Sequence, residues 1–196
     1  VATCIRNLGP ERTAGCARLA VEAGEARVVG LGLAGDERVF APGDFRAAFD
    51  AAREAGLGLT AHAGEFAGAE SVAAALDDLG AGPSDHGVRA VEDAALVARL
   101  AAEGVHLAAC PGSNVALGVY GSLAAHPIGD LRAAGVSVSV STDDPPFFAT
   151  DMTRECEGLA RVFGWGEAEI AAMQREALAA AFCDAATRER VAARLG

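Results

Sequence analysis

Residues 57–65, Leu57-Gly58-Leu59-Thr60-Ala61-His62-Ala63-Gly64-Glu65, read as a short apolar strand that stops at a histidine and a carboxylate. Alternation along an extended chain places Leu57, Leu59 and Ala61 on one face and Gly58, Thr60 and His62 on the other. His62 therefore extends the smaller, more polar face. The same arrangement recurs in both directions along the chain. Apolar runs at 2–6, 27–33, a short one ending near 86, 105–110 and 136–141 close on Arg6-Asn7, Gly35-Asp36-Glu37, His86-Gly87, Cys110-Pro111-Gly112-Ser113-Asn114 and Thr142-Asp143-Asp144-Pro145. Between the runs, Phe45, Ala48, Phe49 and Ala52, and later Leu96, Val97 and Leu100, mark apolar helical stripes. Strands alternating with helices predict an α/β fold with a parallel sheet.

The clusters at the strand ends decide between two parallel architectures. In a (β/α) barrel the carboxyl ends of all strands meet on one face, whereas an open doubly wound sheet gathers only those beside its switch point. Six chemically capable strand ends predict the barrel, as one domain over residues 1–196. Further helices follow the last strand, with Ile170, Met173, Ala177 and Ala181 at helical spacing and the Met and Phe residues of that region expected in the core. At 196 residues the chain is short for a complete eight-stranded barrel, which takes about 250.

Composition narrows the function. A net charge of −11 repels phosphate backbones and anionic membrane surfaces, so the expected partner is a small molecule, with no nucleic acid and no membrane. No apolar run approaches the roughly 18 residues of a membrane span. Five cysteines, an odd number without C-x-x-C spacing, point to a reducing cytosol rather than a disulfide framework. Nothing in the sequence fixes an oligomeric state.

Taken singly, the polar residues have ordinary readings. His62 and Glu65 could simply hydrogen-bond, Asp143-Asp144 before Pro145 could cap a turn, and His86 could be a satisfied loop histidine. Strand alternation adds weight to Asp143, because it continues the face of Ser137, Ser139 and Ser141. His106, at the start of its strand, and His126, before Pro127 at a helix entry, read as structural. Gly30-Leu31-Gly32-Leu33-Ala34-Gly35 matches the G-x-G-x-x-G of an NAD-dependent dehydrogenase, with Asp50 or Glu54 as the ribose acid. That fingerprint requires a helix opening within the glycines. The helical pattern here starts only near Asp44, after Pro42-Gly43, which leaves the dehydrogenase as a remote alternative.

Leu33-Ala34-Gly35-Asp36-Glu37, His62-Ala63-Gly64-Glu65, His86-Gly87-Val88-Arg89, Cys110-Pro111 with Ser113-Asn114, and Thr142-Asp143-Asp144-Pro145 together resemble the adenosine and adenine deaminase family, in its motif order and along essentially the whole chain. The resemblance implies a TIM-type (β/α)8 barrel of which strands three to eight are present, the first two or so βα units lying outside these residues. It also implies zinc-dependent hydrolytic deamination of a 6-aminopurine, whether adenosine, adenine or a related nucleoside, to the 6-oxopurine and ammonia. Under it, His62 and Asp143 are ligands of one zinc ion per subunit, Glu65 handles the proton delivered to ring N1, and His86 orients the attacking hydroxide. Gly35 would bind the purine ring through its backbone, and Asp144 would contact the imidazole side of the base.

The family's H-x-H, two further zinc ligands, is missing, since His62, His86, His106 and His126 are the only histidines. Pro83-Ser84-Asp85 and Ala108 also depart from the family pattern, which has Arg-Ile-Gly and often Glu. A barrel that keeps the fold without zinc or catalysis is the competing expectation.

Overall fold

The computed structural model describes residues 1–23, 27–82 and 84–195, so Pro83 lies outside the described residues. The chain forms two compact units, Val1–Asp93 and Ala94–Gly196. In the first, β1 (Ala2–Ile5), α1 (Pro10–Ala23), β2 (Gly30–Ala34), α2 (Arg46–Glu54), β3 (Gly58–Ala63), α3 (Ala69–Leu79) and β4 (Ser84–His86) alternate as expected. Neighbouring strands pair in parallel, with Cys4 opposite Leu33, Leu31 opposite Leu59, and His62 opposite Asp85. A parallel pair cannot be joined by a tight turn, so each connection carries a helix.

The stripe inferred for α2 is the buried one. Phe45, in the 3-10 turn that precedes the helix, and Phe49 and Ala52 within it are at most 1% exposed, and Ala48 is 5% exposed. They pack into a core shared with Leu31, Leu33, Leu59, Val72 and Leu79. Along β3 burial alternates: Leu59, Ala61 and Ala63 are buried while Gly58, Thr60 and His62 are half-buried. That is the two-faced strand that the quoted sequence predicts.

The second unit contains α4 (Ala94–Glu103), β5 (His106–Ala109), α5 (Pro111–Ala116), α6 (Ile128–Ala133) and β6 (Ser137–Val140). Four more helices follow, α7 (Pro145–Phe148), α8 (Met152–Phe163), α9 (Glu167–Ala180) and α10 (Ala185–Leu195), with no further strand among the described residues. Strands β5 and β6 are parallel, with His106 opposite Ser137. His106 is structural, as expected: its ring joins the two strands, Nδ1 lying 2.9 Å from Ser137 Oγ and Nε2 2.8 Å from Ser139 Oγ. Leu100, Leu107, Ile128, Leu131, Val138, Leu159 and Met173 form the core of this unit.

One expectation needs correction. Met173 is buried, but Phe147 is 83% and Met152 39% exposed, because they sit on a one-turn helix and at the first position of α8, off the buried stripes. The glycines that mimic a dinucleotide fingerprint are the strand itself, since Gly30–Ala34 is β2 and α2 opens only at Arg46. No helix N-terminus meets that glycine run, and the dehydrogenase reading falls with it. No described helix is long and apolar enough to cross a membrane.

Phe49 is fully buried. Replacing it with alanine is expected to lower the unfolding free energy by about 3–5 kcal/mol, through lost transfer energy and the cavity left behind. Denaturant titration measures this, and a loss below about 1 kcal/mol would contradict the core described above.

Candidate functional site

In the first unit the polar residues after the strands converge. His62, the penultimate residue of β3, has its Nε2 hydrogen-bonded to Glu65 Oε2 at 2.9 Å. His86, the last residue of β4, brings Nδ1 to 3.5 Å from Glu65 Oε1, and the two imidazoles lie 4.4 Å apart by centroid. Glu65 and His86 are each only 2% exposed, so the carboxylate that reaches a nitrogen of each ring is buried. Ligand atoms of His62, Glu65 and His86 all lie within 4.8 Å of one another, close enough for a metal ion. Two imidazoles and a carboxylate are donors of the kind zinc takes.

Electrostatics follow from this crowding. Burial works against a charged His62, but the hydrogen bond and charge of Glu65, with the charges of Glu37 and Asp85, outweigh it and raise the histidine's pKa. Asp85, one of the departures from the family pattern, therefore acts on the histidine opposite it in register.

Beneath these groups lies a residue whose sequence context carried no assigned role. The Glu37 side chain is wholly inaccessible. Its carboxylate accepts from the backbone N–H of Gly64 at 2.7 Å, Glu65 at 2.8 Å and Phe66 at 3.2 Å, and from the Ser71 hydroxyl at 2.8 Å. Arg6, also fully buried, donates to the carbonyls of His62 at 2.9 Å and Phe40 at 3.2 Å. Burial lowers the Arg6 pKa while the charges of Glu37 and Asp36 act to raise it.

Glycine is required at two positions here. Gly64 has φ +71, and a Cβ on it would stand 2.3 Å from Val72 Cγ2. Gly35 has φ +105, and its Cβ would stand 2.5 Å from Asn7 Oδ1, the atom that also accepts from the Asp36 N–H. The backbone at Gly35 is thereby left without side-chain cover of its own.

In the second unit Asp143 follows β6 with φ +55, and its Oδ2 accepts from the Ser113 hydroxyl at 2.6 Å. Ser113 belongs to α5, whose Gly112 N–H donates to the buried Glu155 at 3.0 Å. Asp144, exposed, stands at the N-cap position of α7 and makes no side-chain cap, so its carboxylate is not consumed by the turn. Thus His62, Glu65, His86 and Gly35 fall at strand ends of the first unit, and Asp143 and Asp144 at a strand end of the second. Glu37, Arg6, Ser113 and Glu155 had no assigned role; a glutamate and a serine inside two of the strand-end clusters were the available signals.

His126 is structural, as expected. Its Nδ1 accepts from the Ile128 N–H at 3.2 Å as α6 begins, and Nε2 is 3.1 Å from Asn114 Oδ1. Burial lowers its pKa to about 4. The folded value lies below the unfolded value of about 6.5, so the unfolded chain binds more protons between those pH values. The contribution of His126 is complete above about pH 6.5 and is lost as pH falls toward 4, by about 3 kcal/mol at 1.36 kcal/mol per unit. Unfolding titrations of the parent and H126Q proteins should show this loss only in the parent; parallel curves would refute it.

The family model described as adenosine deaminase matches residues 1–196. Curated relatives named adenine deaminase, from Rhizobium leguminosarum bv. trifolii and Agrobacterium fabrum, are each 52% identical over the whole of this chain. The chain spans 61% and 60% of their respective lengths. Among solved structures, an adenine deaminase from Arthrobacter aurescens matches 98% of this chain, using 59% of its own, with a TM-score of 0.92 and 32% identity. An amidohydrolase from Burkhoderia ambifaria with bound Zn matches 98% of this chain and 54% of its own, with a TM-score of 0.90 and 25% identity. The barrel expectation is met by this likeness.

Proposed function

The chain belongs to the adenosine deaminase family, and from that premise we propose that it carries the catalytic acid and part of the metal site of a zinc-dependent hydrolase that deaminates adenine. The observation that carries the reading is the buried Glu65 carboxylate, one oxygen against a nitrogen of His62 and the other against a nitrogen of His86. The relatives named adenine deaminase favour the free base over the nucleoside.

In this reading His62 and Asp143 are zinc ligands, one ion per subunit, with the two remaining family histidines outside these residues. When bound, the ion supplies a water acidified toward a pKa of about 7, a nucleophile available at neutral pH. The Ser113 hydroxyl donates to one oxygen of Asp143, an outer contact that fixes ligand orientation. Glu65 holds the proton that passes to ring N1 as oxygen adds at C6, which neutralises charge building on the ring. His86 orients the attacking oxygen. The Gly35 backbone binds the purine ring and the Asp144 carboxylate contacts the imidazole side of the base. Water adds at C6, the C6–N bond breaks, and ammonia and the 6-oxopurine leave. A reducing cytosol suits the five cysteines and a small purine substrate.

The intact protein loaded with zinc is expected to release ammonia from adenine. E65Q should lower kcat by about 10²–10⁴-fold with zinc retained, the usual cost of losing a general acid, and H62A should lose the zinc itself. Ammonia assay and metal analysis measure both. A zinc-loaded parent protein inert toward adenine and adenosine would end this reading.

A further inference from the structure

We infer that Glu37 is a positioning residue for the Glu65 side chain, acting through the backbone that carries it. The inference rests on the deaminase reading of Glu65. Three consecutive N–H groups, at Gly64, Glu65 and Phe66, point toward the Glu37 carboxylate. Successive amides turned the same way form a concavity that an anion fills best. Here the anion is a side chain of the same unit, from the loop after β2, with Ser71 of α3 holding its second oxygen.

The geometry separates positioning from direct chemistry. Glu37 Oε1 lies 3.7 Å from His62 Nε2, beyond hydrogen-bond length, and the side chain is wholly inaccessible, so it touches no substrate. Yet the Glu65 N–H it holds belongs to the same residue whose carboxylate meets His62 and His86. A shift of the loop therefore moves Glu65 off both rings. Misplacement of a catalytic group by about 1 Å is enough to cost about 10²-fold in rate.

Glutamine is the informative replacement, because its amide offers one accepting oxygen and one donating nitrogen. Both carboxylate oxygens of Glu37 accept from backbone N–H groups, so the glutamine nitrogen must face a donor whichever way it turns. In the zinc-loaded intact protein assayed with adenine, E37Q is expected to lower kcat about 10²-fold while KM changes less than about 3-fold, the pattern of an interaction used mainly in the transition state. In an E65Q background the same substitution should lower kcat by less than about 3-fold, because the two residues act as one unit. Amide hydrogen exchange should show Gly64, Glu65 and Phe66 losing about 10-fold or more of their protection in E37Q, with the amides of β2 and β3 unchanged.

Should E37Q fail to fold, S71A removes a single donor from the same carboxylate. It is expected to lower kcat about 3- to 10-fold, the scale of one ordinary hydrogen bond, and again not additively with E65Q. A full effect of either substitution in the E65Q background, or retained protection at the three amides in the variant that folds, would overturn the inference. A parent protein that deaminates no 6-aminopurine would instead refute the deaminase reading. The positioning claim then stands or falls on amide exchange alone.

Discussion

Two charged side chains, Arg6 and Glu37, are buried beneath the loops that carry the chemistry of the first unit. A buried charge is costly unless its hydrogen-bonding capacity is met. Glu37 meets it with three backbone amides and a serine hydroxyl, whereas Arg6 meets it in part, its two terminal nitrogens donating to backbone carbonyls while its Nε has no partner among the described residues. The carbonyl of His62 is held by the cation and the amides of residues 64–66 by the anion. The strand end is thus fixed from both sides, and His62 and Glu65 have little freedom left.

The second unit uses the same device at smaller scale. Glu155, 3% exposed on α8, accepts from the Gly112 N–H and from the Thr150 hydroxyl at 2.7 Å. Gly112 precedes Ser113, which holds Asp143. A Cβ at Gly112 would collide with the Glu155 carboxylate, so the short Pro111-Gly112-Ser113 segment and the acid on α8 constrain each other. In the first unit the buried acid anchors the loop that carries Glu65, and in the second it anchors the residue before Ser113, whose hydroxyl holds Asp143.

Much of this was legible in the sequence because it depends on period and punctuation. The residues of β3 alternate large and small, and the α2 stripe recurs at three and four, so their buried faces follow from Leu59, Ala61, Phe49 and Ala52. The grouping of His62, Glu65 and His86 was legible too, since parallel strands bring their carboxyl ends to one side. Glu37 and Arg6 were visible only as residue types. Their positions in strand-end clusters suggested chemistry, whereas their side chains turn inward to backbone groups, a choice set by tertiary partners rather than by local pattern. The exposed Phe147 and Met152 illustrate the converse error, since hydrophobic type alone does not bury a residue outside an apolar stripe.

Backbone strain marks the same positions independently. His86 and Asp143 are two of four non-glycine residues with positive φ among the described residues, at +63 and +55. Conformations of this kind cost about 1–3 kcal/mol each and persist only where the surroundings over-determine them. For His86 the surroundings are visible: the Gly87 N–H donates to Ala63 O and the Arg89 N–H to Gly64 O, both at 2.9 Å, which ties the turn after β4 to the loop after β3. Glycine would relieve the strain at either position but would remove the imidazole or the carboxylate. A histidine and an aspartate are retained where the backbone favours glycine, and the first unit shows how: the loop that Glu37 anchors is also the loop that holds the His86 turn in place.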